Sequence, residues 1–244
     1  MEQDSTQNKR KPKSSKTAAV EVKNPNEGHR DRLRERFLRG GLKPMHDYEQ
    51  LELLLTYVIP RKDVKPIARD LLNKLGGFTG VCDASLEELC SVPGIGKNSA
   101  VLIMLLKELA VEYLRVKMNE ADVLSSPDAV ASFARMKLGG LKHESFMTIF
   151  LNTKNRVITF ELQDGTVDRA AVYPRDVIKK ALELHAVSLI LVHNHPSGIC
   201  DPSKEDIKLT QNLKAAAATV NIKILDHLVV SKFTHKSLAE DCLI

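Results

Sequence analysis

The sequence has no tryptophan, only 5% aromatic residues, and no apolar run near the length of about 18 residues that spans a bilayer. The shortage of aromatic residues argues against a large stacking surface. The lack of a spanning run predicts that the protein has no membrane partner. Four cysteines are scattered without a CxxC pair, and we find no signal peptide. We therefore predict reduced thiols in a cytoplasmic protein.

What the sequence does contain is enough apolar residues for hydrophobic cores. Of its 244 residues, 43% are hydrophobic, which allows one large domain or two modest ones. The net charge of +5 permits contact with nucleic acid but does not require it. Residues 1–27 lack apolar periodicity and carry a cluster of basic residues between Lys9 and Lys16. We predict that this segment is a disordered basic tail.

Residues 28–117 show helical spacing and no strand-like alternation, which predicts an all-helical domain. Within it, Ser85 and Glu88 have the spacing of a capping box at a helix start. Residues 118–126 are polar and include Ser-Ser-Pro, which is typical of a linker. The predicted helices are a segment that begins at His29 and ends before Gly40, and then 48–57, 64–75, 85–90 and 98–115.

The loop Pro93-Gly94-Ile95-Gly96 resembles the hairpin of helix-hairpin-helix modules. In such hairpins the glycines let the backbone approach a phosphate, and amide groups at the next helix N-terminus bind it. Lys97 would add positive charge. DNA contact through Gly94, Gly96 and Lys97 is one interpretation, and a tight turn with a purely structural role is the other.

From residue 127 onwards, strand-like segments alternate with helices. We therefore predict an α+β protein in which residues 127–244 form a mixed sheet with helices packed around it. The predicted helices of this part are 127–138, 174–184 and 203–220, and the predicted strands are 145–151, 156–162, 170–172, 186–192, 222–225 and 228–230.

One apolar run, long enough for a buried strand, stops at His193-Asn194-His195. Residues i and i+2 of a strand point to the same side, so both imidazoles can face one point. The next helix begins with Ser203-x-x-Asp206, which taken alone is a capping signal. Two imidazoles and one carboxylate leave one position open on a divalent metal, as in a catalytic zinc site.

The pattern His193-x-His195 followed by Ser203-x-x-Asp206 resembles the JAMM signature of the JAB1/MPN metalloprotease superfamily. LNTKNRVI, GTVDRAAVYPRDV, HNHPSG and DHLVV resemble the RadC family in particular, as do GHRDRLRERF and ASLEELCSVPGIGK. The resemblance covers about residues 28–231. It implies that a helix-hairpin-helix-like domain precedes a JAMM/MPN domain with a cytidine-deaminase-like α/β/α fold in residues 127–244.

The same resemblance implies a zinc site in which His193, His195 and Asp206 are the ligands and water takes the fourth position. Ser203 would hydrogen-bond the developing oxyanion, or help to orient Asp206 or the water. The general base of this superfamily is a glutamate at the start of the first strand, which is Glu144 here.

Three neighbouring residues leave alternatives open. Glu161 ends the adjacent strand and is the rival of Glu144 as general base. His227 is not needed as a ligand, because three suffice for an open site, so we expect a structural or supporting role. Cys200 stands where RadC-like sequences usually carry a polar residue. It could offer a soft ligand or an oxidation point, but we expect no role for it.

We therefore expect a zinc-dependent hydrolase of peptide or isopeptide bonds, recruited by its helical domain to DNA or to a partner. The alternative is a DNA-binding protein linked to repair or recombination, the family's traditional label, whose metal domain is structural or acts on nucleic acid. A non-catalytic scaffold is the third reading, weakened because every ligand position is filled. The sequence determines neither the substrate nor the oligomeric state.

Overall fold

The computed structural model describes residues 28–120, 123, 127–164 and 172–244. The described part of the chain divides into two compact units, one up to residue 65 and one from residue 66 onwards. The predicted basic tail lies outside the described residues, as do most of the predicted linker and the first two residues of predicted strand 170–172. Both sequence-based domain boundaries therefore stay predictions.

The first unit contains helices α1 (His29–Gly40) and α2 (Asp47–Leu55). Leu33 of α1 packs against Met45 and Leu53 in a small hydrophobic core. The described part of this unit contains helices and turns but no strand, as the spacing of its apolar residues predicts.

The second unit begins with a run of helices. Ser85 starts α5 as predicted, because its hydroxyl accepts the Glu88 N–H at 3.3 Å while Glu88 accepts the Ser85 N–H at 2.9 Å. No helix in the described part of the chain is both long and apolar enough to cross a membrane. The helices are α3 (Lys65–Leu75), α4 (Phe78–Asp83), α5 (Leu86–Cys90), α6 (Lys97–Glu120) and α7 (Pro127–Leu138).

A mixed five-stranded sheet follows, which confirms the α+β prediction. Its strand order is β2-β1-β3-β4-β5, and only the β3–β4 pair is parallel. The strands are β1 (Ser145–Leu151), β2 (Val157–Asp164), β3 (Ser188–Asn194), β4 (Lys223–Val230) and β5 (His235–Ser237), with helices α8 (Pro174–Glu183) and α9 (Lys204–Ala218) between them. The predicted strands 222–225 and 228–230 are thus one strand, interrupted by an irregularity in its pairing with β3.

Helices cover both faces of the sheet. Helix α7 and the C-terminal part of α6 pack on one face, where Phe133 and Met118 join the core. Helices α8 and α9 pack on the other face, through residues such as Val177 and Leu213. All seven residues of β3 are buried, because this strand is central in the sheet and helices cover both of its faces. The apolar sequence of β3 fits that position, and its C-terminal end leads into the histidine pair.

Candidate metal centre

The two histidines lie where β3 ends. His193 is in the strand, paired with Phe146 of β1 and Val229 of β4. His195 follows the strand, but its backbone N–H still donates to the Val230 oxygen at 2.9 Å. The backbone is therefore still extended at His195, and both imidazoles point to the same side. Their Nε2 atoms lie 2.9 Å apart.

Helix α9 brings the carboxylate of Asp206 to the same point. Asp206 Oδ1 lies 3.4 Å from His193 Nε2, and Oδ2 lies 3.7 Å from His195 Nε2. One ligand atom from each of the three residues lies within 4.8 Å of the other two. The structure therefore brings together the three residues that the sequence pattern predicts as ligands.

A tight turn orients His195. Gly198, at φ +86°, donates its N–H to the His195 oxygen at 3.0 Å. The turn leaves the Ile199 oxygen 2.7 Å from His195 Nδ1. A carbonyl oxygen only accepts, so Nδ1 carries the hydrogen and the Nε2 of the neutral ring keeps its lone pair. That is the tautomer in which an imidazole binds a metal through Nε2.

Asp206 also caps its own helix. Its Oδ2 accepts both the N–H and the hydroxyl of Ser203, each at 2.7 Å, and Ser203 Oγ accepts the Asp206 N–H at 3.1 Å. This is the predicted capping box, and it leaves Oδ1 directed at His193. The hydroxyl hydrogen of Ser203 is therefore used to orient Asp206.

The charges in this cluster depend on one another. Burial opposes ionisation of Asp206, but the adjacent rings of His193 and His195 and the hydrogen bond from Ser203 hold the pKa of its carboxyl well below the usual range. In return, the Asp206 carboxylate raises the pKa of His195. One carboxylate thus stabilises positive charge between two imidazoles. Such a donor set fits a divalent cation of borderline softness.

The cluster lies in a cavity of about 500 Å³ that is also lined by Glu144 and Ser203. Asn194 lies between the two histidines in the sequence, and its buried side chain fixes the backbone on both sides of Glu144. Its Nδ2 donates to the His143 oxygen at 3.0 Å, and its Oδ1 accepts the Ser145 N–H at 2.8 Å. The strand that carries the histidines therefore also holds Glu144 in place.

The two alternatives near the site have other partners. Glu161 forms an ion pair with Lys180 of α8 at 2.8 Å and is not among the residues that line the cavity. Cys200 is buried against Val229 and Leu238, outside the His–His–Asp cluster.

The hairpin residues form a separate exposed loop. Gly94 has φ +91°, a conformation that favours glycine, and a Cβ built on it would lie 2.7 Å from Cδ1 at the end of the Ile67 side chain. A Cβ on Gly96 would meet nothing within 4 Å. Both glycines and Lys97 are exposed, and α6 begins at Lys97. The loop thus leaves the N-terminus of a long helix accessible.

His227 lies next to the cluster but does not belong to it. Its Nε2 is 2.8 Å from Nδ1 of His193. The ring is fully buried and its two nitrogens face the His193 ring and the Thr210 hydroxyl, neither of which is an anion, so it is neutral. Burial accordingly lowers its pKa to about 3. The polar Asp226-His227 pair among the apolar residues of strand β4 is a sequence signal for this contact.

A mixed sheet flanked by helices, with a His–His–Asp cluster between a strand end and a helix start, is the architecture of a JAB-domain protein. A family model described as "RadC-like JAB domain" matches residues 124–243. A second model, described as "UPF0758 N-terminal", matches residues 26–101.

Three relatives are similar over most of their length. A UPF0758 protein of Fusobacterium nucleatum is 41% identical over 227 residues, which are 90% of this chain and 98% of that protein. One from Ruegeria pomeroyi is 43% identical over 205 residues, 84% of this chain and 92% of that one. One from Nitrosomonas eutropha is 40% identical over 215 residues, 88% and 96% of the two chains. The chain therefore belongs to the UPF0758 (RadC) family, which confirms the resemblance seen in the sequence.

Proposed function

We propose that this protein is a zinc-dependent hydrolase that cleaves peptide or isopeptide bonds in a protein or peptide substrate. One observation carries the proposal: two imidazoles and a carboxylate converge in a cavity that also contains Glu144. Three protein ligands leave a fourth position for water, which is the arrangement of catalytic rather than structural zinc. The four cysteines are free, which agrees with the cytoplasmic location that we propose.

His193, His195 and Asp206 would hold the zinc, which when bound lowers the pKa of its water to about 7 and polarises the substrate carbonyl. Glu144 takes a proton from the attacking water and delivers it to the leaving nitrogen as the C–N bond breaks. The Ser203 hydroxyl orients Asp206 through two hydrogen bonds, and its rotation would let it donate to the developing oxyanion. Glu161 is less suited to act as the base, because it is paired with Lys180.

A substrate trap tests the activity. We expect Glu144→Gln to keep zinc and lose hydrolysis, so that uncut chains remain bound to it. Proteomic comparison of cells that carry the wild type, Glu144→Gln or Glu161→Gln would then find these chains enriched only with Glu144→Gln. If Glu144→Gln cuts a substrate as fast as the wild type, Glu144 is not the base. If no protein is enriched on it, protease activity loses its support.

We also propose that the hairpin loop contacts DNA, because its exposed glycines precede the accessible N-terminus of α6, where a phosphate can bind amide groups. The structure suggests Gly96→Glu as the test, since a side chain there meets no steric conflict, whereas any other residue at position 94 would be strained by the φ of +91°. We expect Gly96→Glu to weaken DNA binding about tenfold and wild-type affinity to fall steeply with salt. Lys117→Glu, exposed at the other end of α6, is the control. If DNA affinity changes neither with salt concentration nor in Gly96→Glu, the loop does not bind DNA.

A further inference from the structure

A buried row of hydrogen bonds links the cluster to two residues outside it. His193 Nδ1 lies 2.8 Å from His227 Nε2. On the other side of that ring, His227 Nδ1 lies 2.6 Å from Thr210 Oγ1. Thr210 Oγ1 in turn lies 2.6 Å from the backbone oxygen of Asp206. Thr210 and His227 are both 0% exposed, so the solvent cannot replace either partner.

The direction of these bonds follows from counting hydrogens. The Thr210 hydroxyl has one hydrogen, and the backbone oxygen of Asp206 can only accept. If the hydroxyl donated to His227 instead, two acceptor oxygens would face each other at 2.6 Å without a hydrogen between them. The hydroxyl therefore donates to Asp206 and accepts the Nδ1 hydrogen of His227.

The remaining hydrogens are then determined. A neutral His227 with its hydrogen on Nδ1 presents an acceptor at Nε2, so His193 donates from Nδ1. Nε2 of His193 keeps its lone pair, directed at the point between Asp206 Oδ1 and His195 Nε2 where a cation would be held. We propose that Thr210 and His227 are positioning residues that hold His193 in the tautomer able to bind the metal.

The hydroxyl is needed because His227 is an ambiguous partner. Metal-binding histidines usually donate to a carboxylate or a carbonyl oxygen, which can only accept. An imidazole can either accept or donate through Nε2. Without Thr210, His227 could donate to His193 Nδ1, and the hydrogen of His193 would then occupy Nε2, where the metal binds. Thr210 thus decides the tautomer of a residue that it does not touch.

Zinc affinity measures this role without a substrate. Competition with a chromophoric chelator is carried out on the full chain and on Thr210→Val, which keeps the shape of the side chain but lacks the hydroxyl. We expect Thr210→Val to bind zinc about tenfold more weakly and Thr210→Ser to stay within about threefold of the wild type. Thr219→Val is the control: it removes a hydroxyl bonded to the Ala216 oxygen at the end of the same helix, and we expect wild-type affinity.

The tautomer itself is the second readout. Long-range proton–nitrogen NMR spectra of the metal-free protein, labelled with ¹⁵N in histidine and recorded at mildly alkaline pH, report which ring nitrogen carries the hydrogen. We expect Nδ1 for His193 in the wild type and in Thr210→Ser, and a population with the hydrogen on Nε2 in Thr210→Val. Unchanged affinity and an unchanged tautomer in Thr210→Val would overturn the inference.

The inference rests on the proposed metal site, but the two fail in different ways. If the wild type binds no zinc, the proposed function fails. If the wild type and Thr210→Val bind zinc equally well, only the positioning role fails. Should Thr210→Val not fold, His227→Gln and His227→Leu replace it. Glutamine offers His193 an acceptor and Thr210 a donor, so we expect it to bind zinc about tenfold more tightly than leucine. Equal affinity would contradict the role.

Discussion

His193 and His195 each use Nδ1 for a hydrogen bond and direct Nε2 at Asp206, but their partners come from different distances. His195 donates to a carbonyl oxygen four residues along the chain, so its orientation is local. His193 depends on His227 from the neighbouring strand. A change in the turn between His195 and Ile199 would therefore disturb His195, whereas a change in the pairing of β3 with β4 would disturb His193.

His193→Ala tests the cluster at this scale. We expect this variant to lose stoichiometric zinc, because two ligands rarely hold zinc in competition with water. Elemental analysis of the purified protein measures the loss. His185→Asn is the matched control, because His185 is exposed and its φ of 52° is one that asparagine tolerates. Equal zinc content in the wild type and His193→Ala would exclude this cluster as the metal site.

The individual site residues differ in how far the sequence could predict them. Strand spacing and a capping pattern were enough to propose His193, His195 and Asp206. Glu144 required the family resemblance, because nothing in its local sequence separates it from Glu161. The role of His227 depends on the pairing of β3 with β4, and no local sequence pattern reveals the register of that pair.

At the scale of elements, helices α5 and α9 both begin with a capping box headed by a serine. Ser203 caps α9 and bonds to Asp206, and Ser85 caps α5 and bonds to Glu88. We expect Ser203→Ala and Ser85→Ala each to lower the free energy of unfolding by about 1 kcal/mol, measured by urea denaturation.

Zinc affinity then separates the two caps. Ser203→Ala removes one hydrogen bond from Asp206 Oδ2, so we expect zinc to bind about tenfold more weakly. Ser85→Ala has no contact with the cluster and should bind zinc like the wild type. If both variants lose affinity equally, the effect comes from stability, and Ser203 has no special role in orienting Asp206.

Elements with strong end signals were predicted closely. Helix α7 begins at Pro127 and ends before a glycine pair, and both of its predicted ends agree with the structure. Helix α4 was missed, because its six residues include Gly80 and carry too little periodicity to be recognised. Strand β4 was divided in two, because Asp226 and His227 look like loop residues. The sheet tolerates both residues because their polar atoms form hydrogen bonds with Ser237, Thr210 and the backbone.

At the scale of the whole molecule, the end of the helical part is shared with the metal domain. Polar composition predicts a linker at 118–126, which would make the metal domain independent of the helices before it. In the structure, α6 extends to Glu120. Met118 is 0% exposed and Val111 is also buried, and both lie in the core formed with α7 and the sheet. The last turns of α6 therefore complete the core of the metal domain.

A pair of methionines on α6 tests this continuity. Met118→Ala empties a site in the shared core, so we expect it to lower the free energy of unfolding of the sheet by about 2–5 kcal/mol. Met104→Ala, at an exposed position of the same helix, should change it by less than about 0.5 kcal/mol. Urea denaturation gives the total change in the free energy of unfolding. Hydrogen exchange of the β1 and β3 amides shows whether the sheet itself is destabilised. If Met118→Ala leaves exchange in those strands unchanged, the metal domain folds independently of α6, as the predicted linker would require.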